Sequence, residues 1–148
     1  MVFVRYLNKK LVATLNATNR NEALTQLVDV IFKAGKLKNK EEFLNAIMER
    51  EKIVSTGIGM GVAIPHAKLP GFDDFFITIG ILQKAIDWNA LDGTPVRLIF
   101  MIGGPDDKQT EYLQILSTLT QFIKDEEKRK RLLNLHDPKT IIELFRRI

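Results

Sequence analysis

The segment VRLIFMI, from Val96 to Ile102, constrains the fold of this chain more than any other part of the sequence. A nearly continuous apolar run of this length is typical of a strand that is buried on both faces of a sheet. Such a strand needs a layer of helices on each side, because each apolar face has to be covered. The run therefore predicts the central strand of an α/β fold.

Two further segments have the pattern of strands. Residues Phe75 to Leu82 alternate, with Phe75, Ile77, Ile79 and Ile81 on one face and the residues between them on the other. This alternation favours a second long strand, and the short apolar segment Val62 to Ile64 favours a third. Asp92-Gly93 and Thr94-Pro95 are turn signals before the central run. The sequence leaves the order of the strands open.

Helical spacing and capping residues predict helices before and after these strands. Asn19 and Asn39 each precede a glutamate by three residues, which is the pattern of a helix N-cap. In the third helix, Leu113, Leu116, Leu119 and Ile123 are predicted to face inward. The predicted helices cover residues 19–35, 39–50, 107–123, 125–135 and 137–148. We therefore predict a single-domain α/β fold over residues 1–148, with a mixed β-sheet flanked by helices on both faces.

The composition excludes several kinds of chemistry. The chain has 148 residues, no cysteine and only two histidines, which are far apart in the sequence. Disulfides and thiolate catalysis are excluded, and we expect neither a metal ion nor a cofactor. No apolar run is long enough to span a bilayer, and the N-terminus lacks the pattern of a signal peptide. We expect a cytoplasmic protein.

The net charge of +4 raises the question of nucleic-acid binding. Much of it comes from KDEEKRKR, Lys124 to Arg131, where acidic residues precede basic ones as they do along a solvated helix. No aromatic residue lies between these bases, as a single-strand binder would require. We expect no nucleic-acid partner, whereas a basic surface can attract an acidic or phosphorylated protein.

The segment REKIVSTGIGMGVAIPHAK, Arg50 to Lys68, contains the candidate functional residues. Glycine permits backbone conformations that turn several N–H groups toward an anion, and neighbouring hydroxyl groups would add donors. Taken alone, alternating glycines are more often a turn or a bulge. The candidate phosphate-loop residues are Ser55, Gly57, Gly59, Gly61 and Lys68, and Thr56 is a candidate catalytic residue with His66 and Arg50.

His66 is the candidate nucleophile of this segment. A neutral imidazole is nucleophilic near pH 7, because its unperturbed pKa is about 6.5. Pro65 fixes the backbone before it, and Arg50, at a predicted helix end, has the planar fork that binds phosphate oxygens. A lone histidine beside proline is more often structural. The combination nevertheless favours phosphoryl transfer, which mainly requires positioning and hydrogen-bond donors.

The string STGIGMGVAIPHAK resembles the active-site signature of the IIA family in the fructose, mannitol and nitrogen-related branch of the bacterial sugar phosphotransferase system. NRNEAL, EREKIVSTGIG, AIDWNALDGTPVRLIFMIGGP and YLQILSTL extend the resemblance over nearly the whole chain. It implies that His66 accepts a phosphoryl group from the histidine phosphocarrier protein HPr, or from a nitrogen-branch equivalent. It also implies transfer to a IIB cysteine, and contact with the membrane only through transporter partners. Arg50 and Thr56 match the family's arginine and threonine near the active histidine.

The sequence departs from this family at Tyr112, where mannitol- and fructose-type members usually carry a second histidine. A tyrosine can donate a hydrogen bond but cannot supply an imidazolium charge. His136 does not replace that histidine, since it is predicted to lie at a helix boundary. The alternative function is therefore a nitrogen-type regulator, whose phosphorylation state controls binding to a kinase, transporter or transcription regulator. The segment IGGP, Ile102 to Pro105, also has glycines where relatives often have alanines.

Overall fold

A mixed sheet forms the centre of the molecule. The computed structural model describes residues 2–146 and 148, and within them six strands form one sheet in the order β1-β5-β6-β3-β2, with β4 also paired to β6. The strands are β1 Val12–Leu15, β2 Gly57–Gly59, β3 Val62–Ala63, β4 His66–Lys68, β5 Phe76–Ile86 and β6 Val96–Gly104. The predicted fold class is confirmed, and β6 is the central strand that the VRLIFMI run predicts.

The strands β3 and β4 lie end to end along one side of β6. Val62 is paired with Leu98, and His66 is paired with Ile102 farther along the same strand. Pro65 lies between the two segments, where its carbonyl accepts a hydrogen bond of 2.9 Å from the Ile102 N–H. Proline has no N–H of its own to donate to a neighbouring strand. The interruption makes His66 the first residue of a new short strand.

The two faces of the sheet pack against separate helical layers. The helices are α1 Arg20–Lys33, α2 Lys40–Ile53, α3 Gln109–Lys124, α4 Glu126–Leu133 and α5 Pro138–Glu143, with 3-10 helices at Phe3–Tyr6 and Lys9–Leu11. Phe75, Ile77, Ile79 and Ile81 lie in the core under α3 to α5, whereas Phe76 and Leu82 lie in the core under α1 and α2. The alternation read from the sequence is confirmed.

The two predicted asparagine caps are confirmed. The side-chain oxygen of Asn19 accepts a hydrogen bond from the Glu22 N–H at 2.8 Å, and that of Asn39 accepts one from the Glu42 N–H at 3.0 Å. The helix α2 continues three residues beyond the predicted end, to Ile53. No helix-breaking residue lies in that extension, so the helix continues until the chain turns toward β2.

The predicted inner face of α3 is wrong in one position. Leu113 is 53% exposed, and the buried stripe consists of Tyr112, Ile115, Leu119, Phe122 and Ile123. The helix is thus rotated so that Tyr112 faces the sheet. In the residues that the structure describes, no helix is long and apolar enough to cross a membrane.

Candidate functional site

The ring of His66 is held by the backbone of its own segment. Its Nδ1 lies 3.1 Å from the carbonyl oxygen of Ile64. A carbonyl oxygen only accepts hydrogen bonds, so Nδ1 carries the proton in the neutral ring. The lone pair is therefore on Nε2, and Nε2 is the nucleophilic atom.

The surroundings of His66 keep its imidazole neutral. Partial burial is the main reason that its pKa lies below the ordinary value of histidine, and the positive charges of Arg50 and Lys68 lower it further. The hydrogen bond to Ile64 and the negative charge of Glu51 act in the opposite direction. A neutral ring near pH 7 is the form that can attack an electrophile.

Lys68 and Tyr112 lie on the same side of the sheet as His66. Alternate residues of a strand point to the same face, so Lys68 of β4 follows His66 toward α3. The His66 and Tyr112 ring centroids are 5.7 Å apart, and the Lys68 Nζ lies 4.0 Å from the centroid of the Tyr112 ring. The same Nζ donates a hydrogen bond of 2.7 Å to the Gln109 side chain. A cation is thus held beside the imidazole by a cation–π contact and by an amide oxygen.

Tyr112 is available as a hydrogen-bond donor. Burial raises the pKa of its hydroxyl, and the charge of Arg50 opposes this rise only in part. The hydroxyl therefore keeps its proton at neutral pH. The sequence left open whether Tyr112 packs on the flank of its helix, and in the structure its ring is a neighbour of both the Phe75 and the His66 rings.

Arg50 reaches the site from the other helical layer. It lies in the last turn of α2, and its Nη1 donates a hydrogen bond of 2.8 Å to the Val54 carbonyl. A guanidinium has five N–H donors, so further donors remain for an anion. Its positive charge lowers the pKa of both His66 and Tyr112, so Arg50 acts electrostatically on this site.

The hydroxyl groups of Ser55 and Thr56 are bound to protein acceptors. The Thr56 hydroxyl donates to the Glu51 carboxylate at 2.5 Å and accepts from Trp88 Nε1 at 3.2 Å. The Ser55 hydroxyl donates to the Trp88 carbonyl at 2.6 Å and accepts from the Gly57 N–H at 3.0 Å. The sequence suggested that both hydroxyls donate to an anion, but in the structure they stabilise the loop before β2.

Two of the three loop glycines lie in a hairpin turn away from His66. Gly59 and Gly61 have φ of 99° and 76°, and Met60 between them has φ of 60°. The turn lies at the Leu98 end of β6, whereas His66 pairs with Ile102. Four strand residues correspond to about 13 Å. Gly57 lies closer, where an added Cβ would be only 2.9 Å from the Ala90 Cβ. The structure therefore gives these glycines a role in the hairpin and does not bring Gly59 and Gly61 to the imidazole.

Sequence reasoning missed Glu51 and Trp88 as parts of this region. Glu51 is 4% exposed although it is charged, and Trp88 is fully buried against the loop. Neither residue carries a recognisable motif. The one signal for Glu51 is its helical spacing from Phe43 and Ile47, which places a carboxylate on the buried face of α2.

The comparisons with known proteins identify the family. The model of the phosphoenolpyruvate-dependent sugar phosphotransferase system, EIIA 2, matches residues 5–148. This chain belongs to that EIIA family. Its relatives include both sugar-specific components and nitrogen regulatory proteins.

Three similar proteins illustrate this range. The fructose-specific EIIABC component of Bacillus subtilis is 35% identical over 131 residues, which are 88% of this chain and 21% of that protein. A nitrogen regulatory protein of Bradyrhizobium diazoefficiens is 30% identical over 135 residues, covering 90% of this chain and 88% of that protein. The crystal structure of the nitrogen regulatory protein IIA-Ntr from Neisseria meningitidis superposes with a TM-score of 0.90 at 23% identity, covering 98% and 99% of the two chains. This chain thus corresponds to about a fifth of the Bacillus protein.

Proposed function

We propose that this chain is a phosphoryl carrier that accepts phosphate on Nε2 of His66. The observation that carries the proposal is the hydrogen bond from Nδ1 to the Ile64 carbonyl, which leaves the lone pair on Nε2 beside two cations. An imidazole that is neutral, fixed in one tautomer and flanked by positive charge suits attack on a phosphoryl group.

The transfer step conserves atoms and electrons. The Nε2 lone pair attacks the phosphorus of a phosphohistidine on the donor protein and forms a new N–P bond. The N–P bond of the donor breaks, and its electron pair returns to the donor imidazole. The proton on His66 Nδ1 stays where it is. Arg50 and Lys68 offset the negative charge of the phosphoryl oxygens, and the Tyr112 hydroxyl is a further donor.

We infer the donor and acceptor proteins from the family. The donor is the histidine phosphocarrier protein HPr or its nitrogen-branch equivalent. The acceptor is the cysteine of a IIB component, whose thiolate attacks the phosphorus while the N–P electron pair returns to Nε2. The name of the Bacillus relative joins EIIA to B and C components, which supports such an acceptor. Residues 1–148 then act as one cytoplasmic EIIA domain that meets the membrane only through transporter partners.

A second candidate function is that of a regulator whose phosphorylation state controls binding to a kinase, transporter or transcription regulator. Tyr112 favours it, because a second imidazole is missing beside His66. The nitrogen regulatory protein of Bradyrhizobium, which is similar along 90% of this chain, also favours it. In this case His66 is still phosphorylated, but onward transfer is slow.

One experiment tests both candidates. The chain is incubated with phosphoenolpyruvate, enzyme I and either HPr or its nitrogen-branch equivalent, and acid-labile label is measured. We expect label on wild type and none on His66→Ala, while His136→Ala, which removes the other histidine, is labelled like wild type. A faster Tyr112→His variant would favour the sugar-transport type of carrier limited by its missing imidazole. If neither donor labels wild type while a working EIIA control is labelled, the carrier proposal is refuted.

A further inference from the structure

The carboxylate of Glu51 is buried and forms part of a hydrogen-bonded network. Its two oxygens accept hydrogen bonds from the Thr56 N–H at 2.7 Å and from the Thr56 hydroxyl at 2.5 Å. The Arg20 Nη1 lies 3.7 Å from it. A buried carboxylate is costly unless it is paired and hydrogen-bonded, so this network requires an explanation beyond packing.

The network continues by backbone hydrogen bonds to the ring of His66. The carbonyl of Thr56 accepts a hydrogen bond of 2.9 Å from the Ile64 N–H. The carbonyl of the same Ile64 then accepts from Nδ1 of His66 at 3.1 Å. Ile64 is thus held at its N–H by Thr56, which is in turn held by Glu51, and the carbonyl of the same residue accepts from His66 and selects its tautomer.

The same loop also holds Arg50. The Val54 carbonyl that accepts from its guanidinium lies two residues before Thr56. Trp88 also stabilises this loop. Its Nε1 donates a hydrogen bond to the Thr56 hydroxyl, and its carbonyl accepts one from the Ser55 hydroxyl. The loop from Val54 to Thr56 therefore supports both His66 and Arg50.

We propose that Glu51 is a positioning residue for phosphoryl transfer, which acts through Thr56 to fix the tautomer of His66 and the place of Arg50. This inference rests on the proposed function of His66. A displacement of a reacting group by about 1 Å can reduce a rate by roughly a hundredfold, so a loss of this support should be visible in the kinetics.

The test combines nuclear magnetic resonance of the His66 ring nitrogens with phosphorylation kinetics. In wild type we expect the neutral ring to carry its proton on Nδ1. Thr56 donates to both oxygens of Glu51, and the amide of Glu51→Gln has only one oxygen that can accept. We therefore expect Thr56 to shift and the ring of His66 to become a mixture of tautomers. We also expect kcat to fall by about tenfold to a hundredfold, with KM for the donor changed by less than about twofold. Glu49→Gln is the matched control, because Glu49 is an exposed glutamate of the same helix, and it should behave like wild type.

A second pair of variants decides the matter if Glu51→Gln does not fold. Thr56→Val keeps the shape of the side chain but removes the hydroxyl, and Thr56→Ser restores the hydroxyl. We expect Thr56→Val to give a mixture of His66 tautomers, and Thr56→Ser to restore the tautomer that carries the proton on Nδ1. If Glu51→Gln or Thr56→Val folds and retains both the tautomer and the rate of wild type, the inference is overturned. The tautomer is measured without any donor, so a failure of the carrier proposal itself would appear separately, as unlabelled wild type.

Discussion

Replacing the two glycines at the end of β6 by alanine should separate stability from activity. Gly103 pairs with Ala67 and Gly104 pairs with Lys68, so both lie beside the strand that carries His66. A Cβ on Gly103 would overlap the Phe76 ring and lie 2.8 Å from Phe43 Cε1. A Cβ on Gly104 would overlap the Phe75 ring on the opposite face. In this chain these phenylalanines occupy the space that a methyl group on either glycine would need.

The expected magnitude follows from these contacts. Carbon atoms in contact are ordinarily about 3.5–4.0 Å apart, so each ring has to retreat by roughly 1 Å. Phe43, Phe75 and Phe76 are all buried, so no ring can move freely into solvent. Overpacking of this kind costs about 1–3 kcal/mol, and we expect each alanine to reduce the free energy of unfolding by that amount.

The two variants should differ in activity because they push on different layers. The Phe75 ring centroid is 6.1 Å from that of Tyr112, so Gly104→Ala should displace Tyr112 and slow the phosphorylation of His66. Gly103→Ala presses on Phe76 and Phe43 in the core under α1 and α2, and should leave the rate closer to wild type.

Urea unfolding measures the stability, and labelling from the phosphocarrier protein measures the rate. The double variant Gly103→Ala/Phe76→Leu should recover part of the lost stability, since the smaller side chain makes room for the methyl group. The reasoning is refuted if both alanine variants lie within about 0.5 kcal/mol of wild type. It is also refuted if Gly103→Ala slows labelling as much as Gly104→Ala does.

Three further results are expected. Lys68→Met removes a positive charge that lowers the pKa of His66, so the acid limb of the phosphorylation rate should move to higher pH; an unmoved limb would contradict this. Because the pKa of folded His66 is below its ordinary value, the unfolded chain takes up the proton first as the pH falls below about 6.5, and stability declines there. Urea unfolding of His66→Gln should show a weaker decline over that range, and an identical decline would argue against the linkage. The pKa of Tyr6 is raised to about 12, mainly by burial and then by its hydrogen bond of 2.6 Å to Glu111. Tyr6→Phe should cost about 1 kcal/mol in urea unfolding, and no loss would mean that this bond contributes nothing net.

The parts of the fold that the sequence predicted have local causes. The VRLIFMI run and the alternation from Phe75 reflect burial on two faces and on alternating faces, and the asparagine caps need only their own helix. By contrast, β1 and β4 are strands of four and three residues whose sequences, VATL and HAK, have no distinctive pattern. They are strands because β1 forms backbone hydrogen bonds with β5, and β4 forms them with β6.

The motif located the candidate site, whereas the surroundings of His66 were less predictable. His66 and Lys68 lie on β4, and the charges of Arg50 and Lys68 both lower the pKa of His66. The direction of the Thr56 hydroxyl, however, depends on Trp88, which lies 32 residues farther along the chain. Adjacency in sequence likewise suggested that all the glycines lie near the histidine, but the hairpin turn carries Gly59 and Gly61 away. Such contacts are decided by the packing of distant segments, which a local motif does not encode.

The sheet divides the surroundings of His66 between two helical layers. Arg50 and its supporting loop belong to the layer of α1 and α2, whereas Tyr112 belongs to the layer of α3 to α5. The two layers meet at His66, whose pKa is lowered by Arg50 and whose ring centroid lies 5.7 Å from that of Tyr112. Substitutions on α2 and on α3 should therefore have coupled effects on His66, because both helices act on the same imidazole. Under the proposed function, a change at position 112 alters the environment of the phosphoryl group without altering the strand that carries His66.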